Sequence, residues 1–248
     1  MRTKIVNLPL LLNREEIYPF LNIGPISGPL PANIHRLVDT YVKRVTQLAR
    51  PQGLIRVCPI NSTTRGRVTL DDAGLVITGA GATGHFTDCE KVTLLAATLG
   101  PRIDQCLAEL QQRAGAADAF IFNAVAAAAA EHTIETLDAL AVQDIRRGAY
   151  YPTARFSPGY GGWPLESQQE FVACIDGEQI GLSVTPHHLL QPVKSITAVI
   201  GWSRLPVTRS YEQPREKPCR SPLTCRDCPL KEKCQNPMRE PLGPGSDL

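Results

Sequence analysis

Residues 155–164 read Arg155-Phe156-Ser157-Pro158-Gly159-Tyr160-Gly161-Gly162-Trp163-Pro164. Two prolines restrict the backbone of this stretch, and three glycines let it bend sharply and lie close to another group. Arg155 carries a rigid, permanently charged fork that suits a carboxylate. Tyr160 and Trp163 add flat apolar faces with a polar edge. Ordering such a loop costs conformational entropy, and contact with a small ligand is one reason to do so. A tight turn between two elements, with the aromatics simply packing, is the alternative.

Upstream of the loop, residues 116–147 read as one long helix containing the unbroken run Ala126 to Ala130. Alanine is the strongest helix former and has almost no side chain, so a second backbone or a flat ligand can approach closely. Glu131 follows that run directly. A carboxylate beside so apolar a turn calls for a cationic partner or for solvent. Downstream, residues 166–175 read as a short helix broken by Asp176-Gly177. A strand over residues 181–185 and a core strand, Ser195 to Ser203, follow. The adjacent His187 and His188 have no acidic or Cys residue at ligand spacing, so they read as surface or packing residues.

Towards the N-terminus, Thr3 to Leu12 is strand-like and residues 24–31 are rich in Gly and Pro. Ile34, Leu37, Val38, Tyr41, Val42, Val45 and Leu48 follow the helical period until Arg50-Pro51. Residues 53–79 read as short strands broken at Asn61 to Gly66 and again at Asp71 to Gly74, the second break being a hairpin. Lys91 to Gly100 is a buried strand. Residues 102–113 form a short helix with Ile103, Leu107 and Leu110 inward.

The chain has 248 residues, enough to bury a sizeable core, and a net charge of +2. That balance gives no electrostatic case for nucleic acid or a membrane surface. The most apolar window, Phe120 to Ala130, is too short to span a bilayer. The N-terminus lacks the features of a signal peptide, so the chain reads as cytoplasmic.

Eight cysteines fall into two groups. Cys58, Cys89, Cys106 and Cys174 are spread through core elements and read as buried free thiols. Cys219, Cys225, Cys228 and Cys234 lie together in a proline-rich tail, 206–248, that has no hydrophobic period. Such a segment cannot fold by burial, whereas four thiolates on one metal centre would supply the missing free energy. Zinc usually takes two short Cys pairs, and only Cys225 and Cys228 make one here. An iron–sulfur cluster, 4Fe-4S in its simplest reading, tolerates varied spacing, and Pro229 directly after Cys228 is a feature of ferredoxin-type runs. Zinc remains the alternative. Arg215, Lys217, Arg220, Arg226, Lys231 and Lys233 would offset the charge of either centre.

In order, these stretches resemble the reactivation domain of cobalamin-dependent methionine synthase in a stand-alone form. That domain carries an Arg-x-x-x-Gly-Tyr motif, matched here by Arg155, Gly159 and Tyr160. Thr98-Leu99-Gly100, Glu131, Val184-Thr185, Pro192, Lys194-Ser195-Ile196 and Gly201-Trp202 fall in the family's order. The resemblance covers residues 1–205. It implies an α+β domain with a twisted antiparallel sheet flanked by helices. It also implies a role in repair: S-adenosylmethionine methylates cob(I)alamin after one-electron reduction of cob(II)alamin.

On that resemblance Arg155 holds the ligand carboxylate, the 158–162 backbone, with Pro158, Gly159 and Gly161, lies along adenine and ribose, and Ser157 belongs to the same ligand site. Tyr160 packs near the ligand or hydrogen-bonds to it, and Glu131 pairs with its ammonium or favours the sulfonium region. No Asp-x-His-x-x-Gly corrinoid motif is present, so cobalamin would sit on a partner. The partner is a corrinoid protein or a methionine synthase lacking its own activation domain, served by an electron donor protein or by the tail itself. The competing readings are a docking module for a corrinoid protein with a structural zinc site, and a small-molecule methyltransferase. The absence of a Gly-rich Rossmann turn weighs against the latter.

Overall fold

The computed structural model of the protein describes residues 2–21, 31–71, 74–113 and 115–207. Cys219, Cys225, Cys228 and Cys234, the expected metal ligands, lie outside the described residues. The chain forms an α+β domain built on one antiparallel sheet. Strands β1 (Lys4–Asn7), β2 (Gln52–Thr64), β3 (Arg67–Leu70), β4 (Val76–Thr78), β5 (Cys89–Thr98) and β9 (Ser195–Ser203) take part, with the short edge strand β6 (Tyr151–Pro152). Their order is β4-β3-β2-β5-β9-β6, and β1 pairs with the first half of β2. A separate two-stranded ribbon joins β7 (Ser183–Val184) to β8 (Leu190–Gln191).

Where the sequence divides residues 53–66 into short pieces, the chain makes a single 13-residue strand. The polar positions from Asn61 onward sit on its exposed end, and an irregularity between Ile60 and Ser62 absorbs them without breaking the ladder to β3. The turn comes only at Gly66, whose φ of 84° suits glycine. Conversely, the strand-like run from Thr3 to Leu12 shortens to four residues, because β2 offers it only Gln52–Ile55 as partners. The hairpin about Asp71–Gly74 forms as its spacing predicts, pairing β3 with β4.

The three central strands are covered on both faces, which is why β5 reads as a nearly continuous apolar run. One face carries Leu54, Val92, Leu94 and Val199, packed against α3 (Ala80–Phe86) and α6 (Gln168–Cys174). The other carries Ile55, Leu95, Ala198 and Ile200 beneath α5 (Ala116–Arg147) through Ile134, Leu137, Ala141 and Ile145. The N-terminal half of α5, with its alanines, continues past the sheet. It packs on α2 (Ala32–Leu48) and α4 (Arg102–Arg113), and a short α1 (Arg14–Ile17) closes this second layer. Because Ala126, Ala128, Ala129 and Ala130 are buried there, the smooth alanine turn serves helix packing. Glu131 stands where α5 passes from one packing partner to the other.

Candidate functional site

The Arg155 loop grows out of the open edge of β9. β6 pairs with Trp202 and Ser203, and four residues after Pro152 Phe156 makes an antiparallel bridge to Val199. Both hydrogen bonds of that bridge form, at 2.9 and 2.7 Å. Successive residues on an extended segment point to opposite faces. Phe156 therefore turns into the α3/α6 layer, where it is buried, and Arg155 turns towards α5. There Arg155 Nη2 lies 3.7 Å from Glu131 Oε2, with the two side chains 21% and 33% exposed. A cation and an anion thus face each other at a partly wet seam between helix and sheet edge.

Beyond Phe156 the chain folds back on itself. The Gly159 N–H donates to the Trp163 carbonyl at 2.8 Å, and the Trp163 N–H donates to the Tyr160 carbonyl at 2.8 Å. Gly161 has a φ of 56°, and a Cβ there would come within 2.8 Å of the Phe156 ring. The base of the loop is fixed to β9 by Ser157 Oγ, which donates to the Thr197 carbonyl at 2.7 Å. Thr197 Oγ1 in turn accepts from Gln168 Nε2 at 2.7 Å, within the buried interior. A hydrogen-bonded line therefore runs from the loop through β9 to the first residue of α6.

Trp163 does not present its face outward. It is 1% exposed and stacks parallel to Phe156, 6.0 Å between ring centres. Of the two aromatics only Tyr160 is exposed and available to a ligand. Trp163 follows the packing alternative because the Gly161-Gly162 turn directs it inward, onto Phe156 and Phe171.

A second element of the site has no warning in apolar period or charge. α3 lies directly on the loop: the Gly81 N–H donates to the Gly161 carbonyl at 3.2 Å. A Cβ on Gly79 would stand 2.6 Å from the Gly162 carbonyl carbon, so only glycine admits this backbone contact. From the same helix His85 stacks on Phe156, and His85 Nε2 meets the Ala154 carbonyl at 2.7 Å. A carbonyl only accepts, so Nε2 carries a proton. The repeated glycines in Gly79-Ala80-Gly81 were the available signal for this close approach. On the α5 side, α1 brings Glu16 Oε2 to 3.5 Å from His132 Nδ1, one residue beyond Glu131.

The structure thus gathers Arg155, Ser157, Pro158, Gly159, Tyr160, Gly161 and Glu131 about one loop and one helix turn. The scattered cysteines Cys58, Cys89, Cys106 and Cys174 are all buried and free. Among the described residues no helix is long and apolar enough to cross a membrane.

No protein-family model matches the chain, and no curated protein matches it. Among solved structures it is similar to a crystal structure of the MetH reactivation domain bound to AdoHcy. The two are 13% identical, with a TM-score of 0.58, over 83% of this chain and 80% of that one. At that identity the similarity speaks for the fold, and the curled antiparallel sheet flanked by helices agrees with it. The chain has the fold of the MetH reactivation domain.

Proposed function

We propose that the chain binds S-adenosylmethionine at the Arg155–Gly161 loop and acts in the reductive reactivation of a corrinoid protein. The observation that carries this reading is the Arg155–Glu131 pair beside a glycine-turned loop. The amino-acid end of the ligand is a zwitterion, and at 3.7 Å the two side chains approach each other without the short contact of a tight ion pair. The ligand's carboxylate would meet Arg155 and its ammonium would meet Glu131. The donor set therefore fits the ligand. The loop adds a backbone turned at Gly159, where there is no side chain to crowd a flat base.

When bound, the ligand supplies an electrophilic methyl group on a sulfonium. The chain's own work is positional. Arg155 anchors the end remote from the sulfonium, since like charges repel. Ser157 and Thr197 hold the loop base to β9, and Tyr160 offers an exposed face. No side chain here is asked to act as acid or base, because the nucleophile belongs to the corrinoid of the partner protein. That partner is a corrinoid protein or a methionine synthase without its own activation domain.

We extend the proposal to the domain division: residues 1–205 form the ligand-binding domain, and residues 206–248 a tail in which Cys219, Cys225, Cys228 and Cys234 hold an iron–sulfur cluster. Such a cluster would pass single electrons, which zinc does not.

Hydrogen–deuterium exchange with S-adenosylhomocysteine tests the ligand site. Protection is expected over residues 155–163 and in the α5 turn around Glu131. Protection confined to another segment would overturn the assignment.

A further inference from the structure

Buried on the α3/α6 face of the sheet is a polar group that the ligand loop does not use. Arg56 and Cys58 stand two residues apart on β2 and so point to the same face. Cys174 ends α6 in the same buried cluster as Cys58, close enough for the two thiols to perturb each other's ionisation. Arg56 Nη1 donates to the Cys174 carbonyl, and its guanidinium lies against the Cys58 sulfur. The same guanidinium is 3.7 Å from Asp176 Oδ2, a carboxylate oxygen that Thr3 Oγ1 also meets at 2.7 Å. Arg56 Nε is buried and has no hydrogen-bond partner.

An apolar core does not call for a guanidinium, and burying one with an unsatisfied N–H is costly. A thiolate at Cys58 would give that guanidinium a second anionic neighbour besides Asp176. The hydrogen bond from Cys174, and then Arg56, hold the Cys58 thiol down at about 7, while Cys174 is pushed up. Cys89 shows what burial does alone beside an acid: it is pushed up to about 12. The four core cysteines are therefore not equivalent, and only one pair has thiols that perturb each other beside a cation.

We propose that Cys58 and Cys174 are a redox-active dithiol, with Cys58 as the attacking sulfur, Arg56 as its positioning residue and hydrogen peroxide as the oxidant. The sulfurs belong to residues only 2% and 7% exposed, so a small oxidant is required. The Cys58 thiolate attacks one peroxide oxygen. A sulfur–oxygen bond forms, the oxygen–oxygen bond breaks, and hydroxide leaves to become water with the proton released from Cys58. The Cys174 sulfur then attacks the Cys58 sulfur. A disulfide forms, the sulfur–oxygen bond breaks, and a second water leaves with the Cys174 proton. Two thiols give up two electrons and peroxide accepts them. The bond would tie β2 to the far end of α6, the helix whose first residue supports Thr197 beneath the ligand loop.

The test titrates the reduced full-length protein with peroxide, alkylates it with N-ethylmaleimide under denaturing conditions and maps the peptides. A linked Cys58–Cys174 peptide is expected near one equivalent of peroxide, reversed by dithiothreitol, with Cys89 still alkylated as a free thiol. In Cys174→Ser, dimedone should trap a sulfenate at Cys58. Arg56→Met should slow linkage by about tenfold, the effect of one pKa unit on the thiolate fraction, and Arg56→Lys should restore most of it. Absence of the linked peptide while Cys89 or Cys106 is oxidised would overturn the proposal. So would a Cys174→Ser protein whose Cys58 takes no dimedone. An unchanged rate in a folded Arg56→Met protein would remove Arg56 from it.

Discussion

Arg155 and Glu131 come from segments 24 residues apart in sequence and face each other at 3.7 Å. If they divide a zwitterion between them, removing either should hurt binding far more than folding. Arg155→Ala should weaken S-adenosylhomocysteine by about 2 kcal/mol, roughly thirtyfold, as expected for a lost charge-assisted contact. Glu131→Gln should cost about tenfold by the same reasoning. Calorimetric titration measures both, and thermal unfolding of each variant should stay within a few degrees of the parent. Gly79 behaves differently, because its missing side chain is what lets α3 reach the loop. Gly79→Ala puts a methyl 2.6 Å from backbone that cannot yield, at a φ of 103°. It should destabilise by about 2–4 kcal/mol from overpacking and strain together, read in urea unfolding, and should disturb the loop as well.

At the scale of elements, the loop depends on β9 and α6. Thr197→Val keeps the shape of the side chain but leaves Gln168 Nε2 without its buried acceptor, a loss of about 1–3 kcal/mol in denaturant unfolding. The helical layer has its own polar tie: Tyr41 on α2 donates to Asp118 Oδ1 on α5 at 2.5 Å. Burial of the ring, and then that bond, push the phenol up to about 12. Its folded value lies above the unfolded value of about 10. The stabilisation is therefore fully present below pH 10 and is lost as pH rises through 12. Unfolding free energy should fall over that window, and Tyr41→Phe should flatten the fall.

Elements with a strong local signal were legible in the sequence. α5 and β9 run from Ala116 to Arg147 and from Ser195 to Ser203 as their patterns indicate, since one is alanine-rich and the other apolar between turn residues. β2 was read as broken because polarity at Asn61 and Ser62 resembles a turn, and only the partner strand shows that a bulge absorbs it. α3 went unread because glycine-rich helices have neither propensity nor period. The loop's Arg155 and Tyr160 were legible as ligand-type residues, whereas the fate of Trp163 depended on Phe156 and Phe171 being beside it.

At the scale of the whole molecule, the sheet separates two layers, and the candidate site sits where an edge of the sheet meets the helix that covers it. The tail beyond residue 207 is a distinct question with its own observable. Protein purified without oxygen should carry iron and sulfide and show a broad absorption that bleaches on reduction. Stoichiometric zinc in a colourless protein would instead make Cys219, Cys225, Cys228 and Cys234 a structural site and leave the ligand loop to stand alone. The proposed function centres on the ligand loop itself. Calorimetric titration of the full chain with S-adenosylmethionine, beside Arg155→Ala and Tyr160→Ala, addresses it most directly. Expected are one site per chain in the parent protein, binding weakened about thirtyfold by Arg155→Ala, and a smaller loss for Tyr160→Ala, whose exposed ring adds packing alone. No heat of binding in the parent protein, or equal affinity in the parent and Arg155→Ala, would contradict it.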